Sequence, residues 1–184
     1  YTIGTFKGQK SIMAAIYGFP KGGSQLPALV DIHGGGQAAY LPAVLTAAKR
    51  GYACISLNWG GNKINMYKGP DYHGPNTDWG ALDATHPPQR SSNNNFVSLK
   101  PTPFTLDSEE SPRNSNWYLV LMAARRAVTF LEQQPEVDRS RIGAQGHSMG
   151  GKLTTNLVAI EPRIRCAVPS CGGSGNIPPE RTEL

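Results

Sequence analysis

Cysteine is scarce, histidine is missing from the last fifth of the chain, and no long apolar run occurs; each absence removes a class of protein. The 184 residues include three cysteines and four histidines. Cys54 lies within the apolar run Tyr52–Leu57, where a thiol behaves as a small hydrophobe. Cys166 and Cys171 share one strand-like segment at an odd spacing, which turns them to opposite faces and places them poorly for bridging each other. A disulfide scaffold is not indicated. His73 and His86, with Asp71, Asp78 and Asp83 nearby, show none of the spacings that metal sites favour. We therefore expect no metal and no cofactor. No apolar run approaches the roughly 18 residues of a membrane span, and the N-terminus lacks the basic and apolar regions of a signal peptide. No membrane partner is expected, although a secreted enzyme read from its mature start would look the same, so the compartment stays open.

Blocks of like charge are also lacking. The formal charge is +5 and the isoelectric point near 9.2, but the basic residues are scattered, the densest groups being pairs such as Arg125-Arg126 and Arg163/Arg165. That distribution reads as solvated surface and not as a nucleic-acid footprint. One domain's worth of chain, long enough to bury a core, is implied by the length.

What is present centres on Gly146-His147-Ser148-Met149-Gly150-Gly151. It follows the strand-like Arg141–Ala144 and opens the helix-like Lys152–Leu157, so it is a G-x-S-x-G sequence at a strand-to-helix turn. Such a turn strains the serine backbone and lifts its hydroxyl above the sheet, and glycines two positions either side let the flanking backbone pack closely. Ser148 is the expected nucleophile. An earlier stretch, His33-Gly34-Gly35-Gly36, ends the apolar run Ala28–Ile32 and so places a glycine loop at a strand's C-terminal end. Ester hydrolysis passes through an oxyanion, for which preorganised backbone N–H groups are often the largest catalytic contribution. The expected donors are the N–H of Met149, at the positive end of its helix, and that of Gly35 or Gly36.

These motifs, with Val137–Gly143 leading into the elbow and the strand-like Cys166–Gly173, resemble the α/β-hydrolases, most closely the acetylxylan-esterase-like and dienelactone-hydrolase-like branch. Dienelactone hydrolases use a cysteine nucleophile, whereas Ser148 stands in this elbow, which favours the esterase side. The resemblance implies a sugar acetate as substrate and a secreted or periplasmic setting.

Taken in order, Tyr1–Gln25 reads as one or two strands, Ser11–Tyr17 being the better. Ala28–Ile32 is the next strand. Leu41, Val44, Leu45 and Ala48 then repeat at helical intervals, with Pro42 near the start and Gly51 just past the end. Tyr52–Leu57 is apolar throughout, as in a parallel sheet covered on both faces. Residues 59–115 break the pattern. They form one long excursion after the third or fourth strand, rich in Gly, Pro, Asn and Ser yet holding Trp59, Tyr67, Tyr72, Trp79, Phe96 and Phe104. Starting at a strand's C-terminal end, they read as a lid or pocket wall. Asn116–Gln134 is the longest helical run, and Arg125 and Arg126 in it read as a solvated face. The helix after Ser148 should turn Met149, Leu153, Leu157 and Ile160 inward, and the last strand is about Arg165–Pro169. The alternation predicts an α/β fold for residues 1–184 as a single domain, a mostly parallel sheet with helices on both faces, and the resemblance to the α/β-hydrolases implies that the C-terminal strands of that fold are missing.

A serine needs a base, and the base an acidic partner. In this fold the chain order is Ser, acid, His, and no histidine follows Ser148. His33 reads as an orienter of the oxyanion loop, and the His147 side chain should point away from the hydroxyl. His73 and His86 stand in the excursion, against the expected order. We expect a C-terminal segment or a second chain to supply the acid and the histidine. The function read from these residues is a serine carboxylic-ester hydrolase, with an acyl-enzyme on Ser148. The alternatives are a peptidase of the prolyl-oligopeptidase type and a catalytically inactive hydrolase fold used for binding. Trp59, Trp79 and Trp117 can stack on a pyranose ring or pack against the sheet; Trp59 and Trp79 are the substrate-binding candidates.

Overall fold

In the computed structural model, residues 1–60, 64, 75–80 and 116–172 are described. The N-terminus forms a hairpin, β1 (Thr2–Phe6) with β2 (Gln9–Ile12), turning at Lys7 and Gly8, which both have positive φ. The predicted strand Ser11–Tyr17 is two strands. The chain breaks at the buried Met13 and Ala14 and re-forms as β3 (Ala15–Gly18), which joins a different sheet. Long-range bonds force the break: Met13 N–H donates to the Tyr1 carbonyl, Ala14 N–H to Thr77 Oγ1, and Ile12 bridges Asp78.

β4 (Leu26–Ile32), α1 (Leu41–Lys49), β5 (Ala53–Leu57), α2 (Asn116–Glu132), β6 (Val137–His147), α3 (Met149–Ile160) and β7 (Ile164–Ser170) follow in order. The second sheet runs β3-β5-β4-β6-β7, with β3 antiparallel and the others parallel. Consecutive strand residues face opposite ways, so parity assigns the layers. Ala28, Val30 and Ile32 of β4 with Ala53, Ile55 and Leu57 of β5 pack in the main core with Leu119, Ala123, Val128 and Leu131 of α2 and Leu153 and Leu157 of α3. Leu29 and Cys54 face the other way, against Val44 and Ala47 of α1. Helices thus cover both faces, as predicted. On the α1 side the cover stops short: Cys166 and Val168 of β7 are exposed, Val168 to 64%.

Two packing expectations change. Ile160, predicted to face inward, is exposed, and the inner face of α3 also uses Gly150, Gly151 and Thr154. Arg125, read as part of a solvated face, pairs with Glu161 at the end of α3, its Nε 3.1 Å from Oε2. Arg163 completes that cluster, reaching Glu161 and Glu132 at 2.6 Å each. Arg126 donates from Nε to the Ile3 carbonyl. Arg125 and Arg163 therefore lock the helix ends together, and Arg126 ties α2 to the hairpin.

Candidate active site

Ser148 follows β6 and caps α3 with φ 56° and ψ −119°, a conformation that an L-residue holds only when its surroundings enforce it. Those surroundings are the glycines of the motif. A Cβ on Gly146 would collide with the Gly150 backbone and stand 2.6 Å from Thr154 Oγ1. On Gly150 it would run into the Ile32 carbonyl, and on Gly151 into that of Ser170 at 2.5 Å. The turn is further held by Ser148 N–H donating to the Ser170 carbonyl at 2.8 Å. Steric exclusion of side chains at three points thus permits the sharp strand-to-helix reversal that the sequence implied.

The His33–Gly36 loop lies against this turn. A Cβ on Gly34 would come 3.2 Å from the His147 carbonyl and 3.4 Å from the Ser148 Cβ, so the loop approaches the serine as closely as a glycine allows. Gly36 has φ 71°, the left-handed region in which glycine carries no penalty. His33 is buried, stacked on Trp59 with ring centroids 5.1 Å apart. Its Nε2 accepts from Gly60 N–H at 3.3 Å, which assigns the hydrogen to Nδ1, and Nδ1 donates to the Gly34 carbonyl at 2.7 Å. Both ring nitrogens are engaged, so His33 orients the loop and is not available as a base. The Gly34 carbonyl and the Gly35 N–H belong to one planar trans peptide, so fixing the first aims the second the opposite way. Gly35 N–H has no acceptor among the described residues. Met149 N–H opens α3, where first-turn donors lack intrahelical partners.

Trp59 and Trp79 are corrected. Trp59 is fully buried, one face stacked on His33 and its Nε1 donating to the His33 carbonyl at 3.0 Å. Trp79 is 5% exposed and belongs to the main core, with its carbonyl accepting from Ser11 Oγ. Both side chains are thus taken up by packing. Of the 59–115 excursion, Trp59, Ile64 and Trp79 pack inward; its reading as a lid, and His73 and His86, lie outside the described residues. His147 points its Nδ1 toward Ser170 Oγ, 3.4 Å away on the neighbouring strand.

Beside the elbow on the α1 face is a cleft of about 560 Å³, lined by Asp31, His33, Gln37, Tyr40, Gln145, His147, Val168 and Ser170 among others. Parity brings these together, since Asp31 pairs with Gln145 in register and Gln145 with Val168. Sequence reading passed over its polar floor. The buried Asp31 accepts from Ser56 Oγ at 2.7 Å and Gln145 Nε2 at 3.0 Å, and burial nevertheless raises its pKa above 3.8. A polar residue at alternate positions in β4, β5 and β6 was the available signal. Among the described residues, no group of three or more His, Cys, Asp or Glu is arranged to hold a metal ion.

Known proteins share this fold. The acetyl xylan esterase (AXE1) family model matches residues 1–172. No curated protein matches. Among solved structures, the acetyl xylan esterase from Paenibacillus sp. R4 is 24% identical with a TM-score of 0.57, covering 87% of this chain and 44% of its own. Acetyl xylan esterase 1 from Thermoanaerobacterium sp. JW/SL YS485 is 20% identical with a TM-score of 0.59, covering 89% and 44%. Est1E from Butyrivibrio proteoclasticus, solved with ferulic acid, is 16% identical with a TM-score of 0.55, covering 92% and 51%. At these identities the structural likeness is one of fold, and the chain spans less than half the length of the two esterases compared first. A parallel sheet with helices on both faces, an elbow enforced by glycines, and a family match over nearly the whole chain lead to one conclusion: the chain belongs to the acetyl xylan esterase family of the α/β-hydrolase fold.

Proposed function

We propose that this chain carries the nucleophile and oxyanion hole of a serine carboxylic-ester hydrolase whose substrate is an acetylated carbohydrate of the xylan type. The observation that carries the reading is the strained Ser148, enforced by Gly146 and Gly150, with the Gly34–Gly36 loop packed against it. In this mechanism Ser148 Oγ attacks the acetyl carbonyl, and the negative charge that develops on the carbonyl oxygen is met by the N–H groups of Met149 and of Gly35 or Gly36. Collapse expels the sugar alkoxide, which takes up the proton lost by the serine. Water then attacks the acetyl-serine, acetate leaves and Ser148 is regenerated.

A base must shuttle that proton. His33 is committed to the loop, and no histidine follows Ser148 in the 184 residues. We place the acid and histidine on polypeptide that packs along the exposed β7, whose last residues lie beside the elbow. The decisive experiment uses the full-length protein and measures acetate release from acetylated xylan and p-nitrophenyl acetate. Ser148→Ala should lower turnover by about 10⁴-fold or more, the scale set by loss of a triad member. A Ser148→Ala protein with wild-type kcat would sink the assignment. Absence of labelling by a fluorophosphonate probe would instead favour a hydrolase fold used for binding.

A further inference from the structure

The oxyanion loop does not hold itself. Between His33 and α1 the chain has little regular structure, yet four of its polar groups are tied by side chains. Gly34 N–H donates to Gln37 Oε1 at 2.9 Å, inside the loop. Ala39 N–H donates to Asn58 Oδ1 at 3.0 Å, and Tyr40 N–H to Ser56 Oγ at 2.9 Å, both across from the end of β5. The Ser56 hydroxyl is itself oriented, because its own hydrogen goes to Asp31 Oδ2. Finally, the Gly34 carbonyl takes the His33 Nδ1 hydrogen.

Gln37 differs from the rest in one respect. Ser56 and Asn58 are buried within the fold, whereas Gln37 is exposed at the edge of the cleft, where its side chain serves no core. What its amide oxygen does is occupy the N–H of Gly34, the glycine whose missing side chain lets the loop approach Ser148. With Gly34 N–H turned back into the loop and Gly34 carbonyl held by His33, both peptide planes flanking Gly34 are fixed. The next donor along the chain, Gly35 N–H, is then the one left without an acceptor among the described residues.

Resting on the esterase reading above, we propose that Gln37 is a positioning residue for the oxyanion hole: it selects Gly35 N–H as the loop's donor by tying up Gly34 N–H, with Ser56 and Asn58 anchoring the far end of the loop. Gln37 touches neither the reacting atoms nor the nucleophile in this role. Losing it lets the His33–Gly34 peptide rotate, and a donor displaced by about 1 Å can cost on the order of 10²-fold in rate. Because the donor acts on charge that appears only in the transition state, the loss falls on kcat and not on KM.

The test uses the full-length protein, p-nitrophenyl acetate as substrate and phenylboronic acid as a mimic of the tetrahedral state. Gln37→Met keeps the side chain's length and removes the acceptor; Gln37→Ala removes both. Each should lower kcat by about tenfold or more with KM within about twofold, and weaken boronic acid inhibition in proportion to the loss in kcat/KM. Melting temperature should be unchanged, as Gln37 is exposed. Ser56→Ala and Asn58→Ala should move the same parameters the same way. Wild-type kcat in both Gln37 variants would overturn the proposal whether or not the buried variants fold. So would a rise in KM at constant kcat, which would make Gln37 a substrate contact. A Ser148→Ala enzyme that stays active would defeat the esterase reading itself, whereas inactive Ser148→Ala beside fully active Gln37 variants defeats the positioning role alone.

Discussion

Ser148 stores strain that a different residue would release. Its φ of 56° with ψ of −119° costs an L-residue about 1–3 kcal/mol, and glycine escapes most of that penalty. We expect Ser148→Gly to abolish turnover while stabilising the fold by roughly 1 kcal/mol, read as a higher urea midpoint; a lower midpoint would show that the hydroxyl is part of the packing. The glycine at 150 carries the opposite expectation. Its missing Cβ makes room for the Ile32 carbonyl of the adjacent strand, and backbone atoms cannot swing aside as a side chain can. Gly150→Ala should therefore destabilise by about 3 kcal/mol or more, with both the elbow and the junction of β4 with α3 displaced, as a urea titration would read. The G-x-S-x-G pattern was legible in sequence because its signature fits within six consecutive residues, although the Ile32 carbonyl that excludes a side chain at Gly150 comes from a distant strand. The bonds of His33 and Gln37 to Gly34 are close in sequence but depend on a loop conformation that no such signature announces.

At the scale of elements, the ends of α2 and α3 meet at a buried carboxylate. Glu161 is 1% exposed, and hydrogen bonds from Arg163 lead the effects that lower its pKa from 4.5 to about 2, with burial opposing them and Arg125 assisting. A carboxyl with a depressed folded-state pKa contributes stability that is complete above its unfolded value near 4.5 and fades as the pH falls through about 2. Acid titration of the wild type should lose stability across that window, and Glu161→Gln should flatten the slope; an unchanged slope would show that the cluster adds nothing. Asp31 acts in the other sense. Burial raises its pKa, so its contribution is largest below 3.8 and declines as the pH rises through its folded value. Helix periodicity predicted α1, α2 and α3 within a few residues. It did not predict that Arg125 finds Glu161, since the partner stands 36 positions away and only the crossing of the two helices brings them together.

Across the whole molecule, the open side is β7. Its partner on one edge is β6, and Cys166, Val168, Pro169 and Ser170 are exposed. Among the described residues its other edge has no partner, and an apolar strand left so in a parallel sheet invites pairing with another chain. Residues 1–184 expressed alone should self-associate, and Val168→Lys should reduce that association, as measured by light scattering or sedimentation. They should also hydrolyse p-nitrophenyl acetate slowly, at about the 10³- to 10⁴-fold over water that an oxyanion hole and binding provide without a complete triad. A monodisperse, fast, Ser148-dependent enzyme would refute both expectations and bring His73 or His86 forward as the base.

The alternation of strands and helices, the mostly parallel sheet and the glycine-flanked strand-to-helix turn at Ser148 followed from the sequence by itself. Apolar period, glycine spacing and proline stops are all written in residues that lie within a turn or two of one another. What only the tertiary structure decided depends on which distant residues become neighbours. Met13 and Ala14 break a predicted strand because their N–H groups find Tyr1 and Thr77. Trp59 and Trp79 leave the set of sugar-stacking candidates because one packs on His33 and both are buried. Asp31, Ser56 and Gln145 look like unrelated polar residues in three separate strands, and become the floor of one cleft only when sheet register sets them side by side. Short-range patterns encode the conformation of a segment, but hydrogen-bond partners more than a hundred positions apart are chosen by the sheet that carries them.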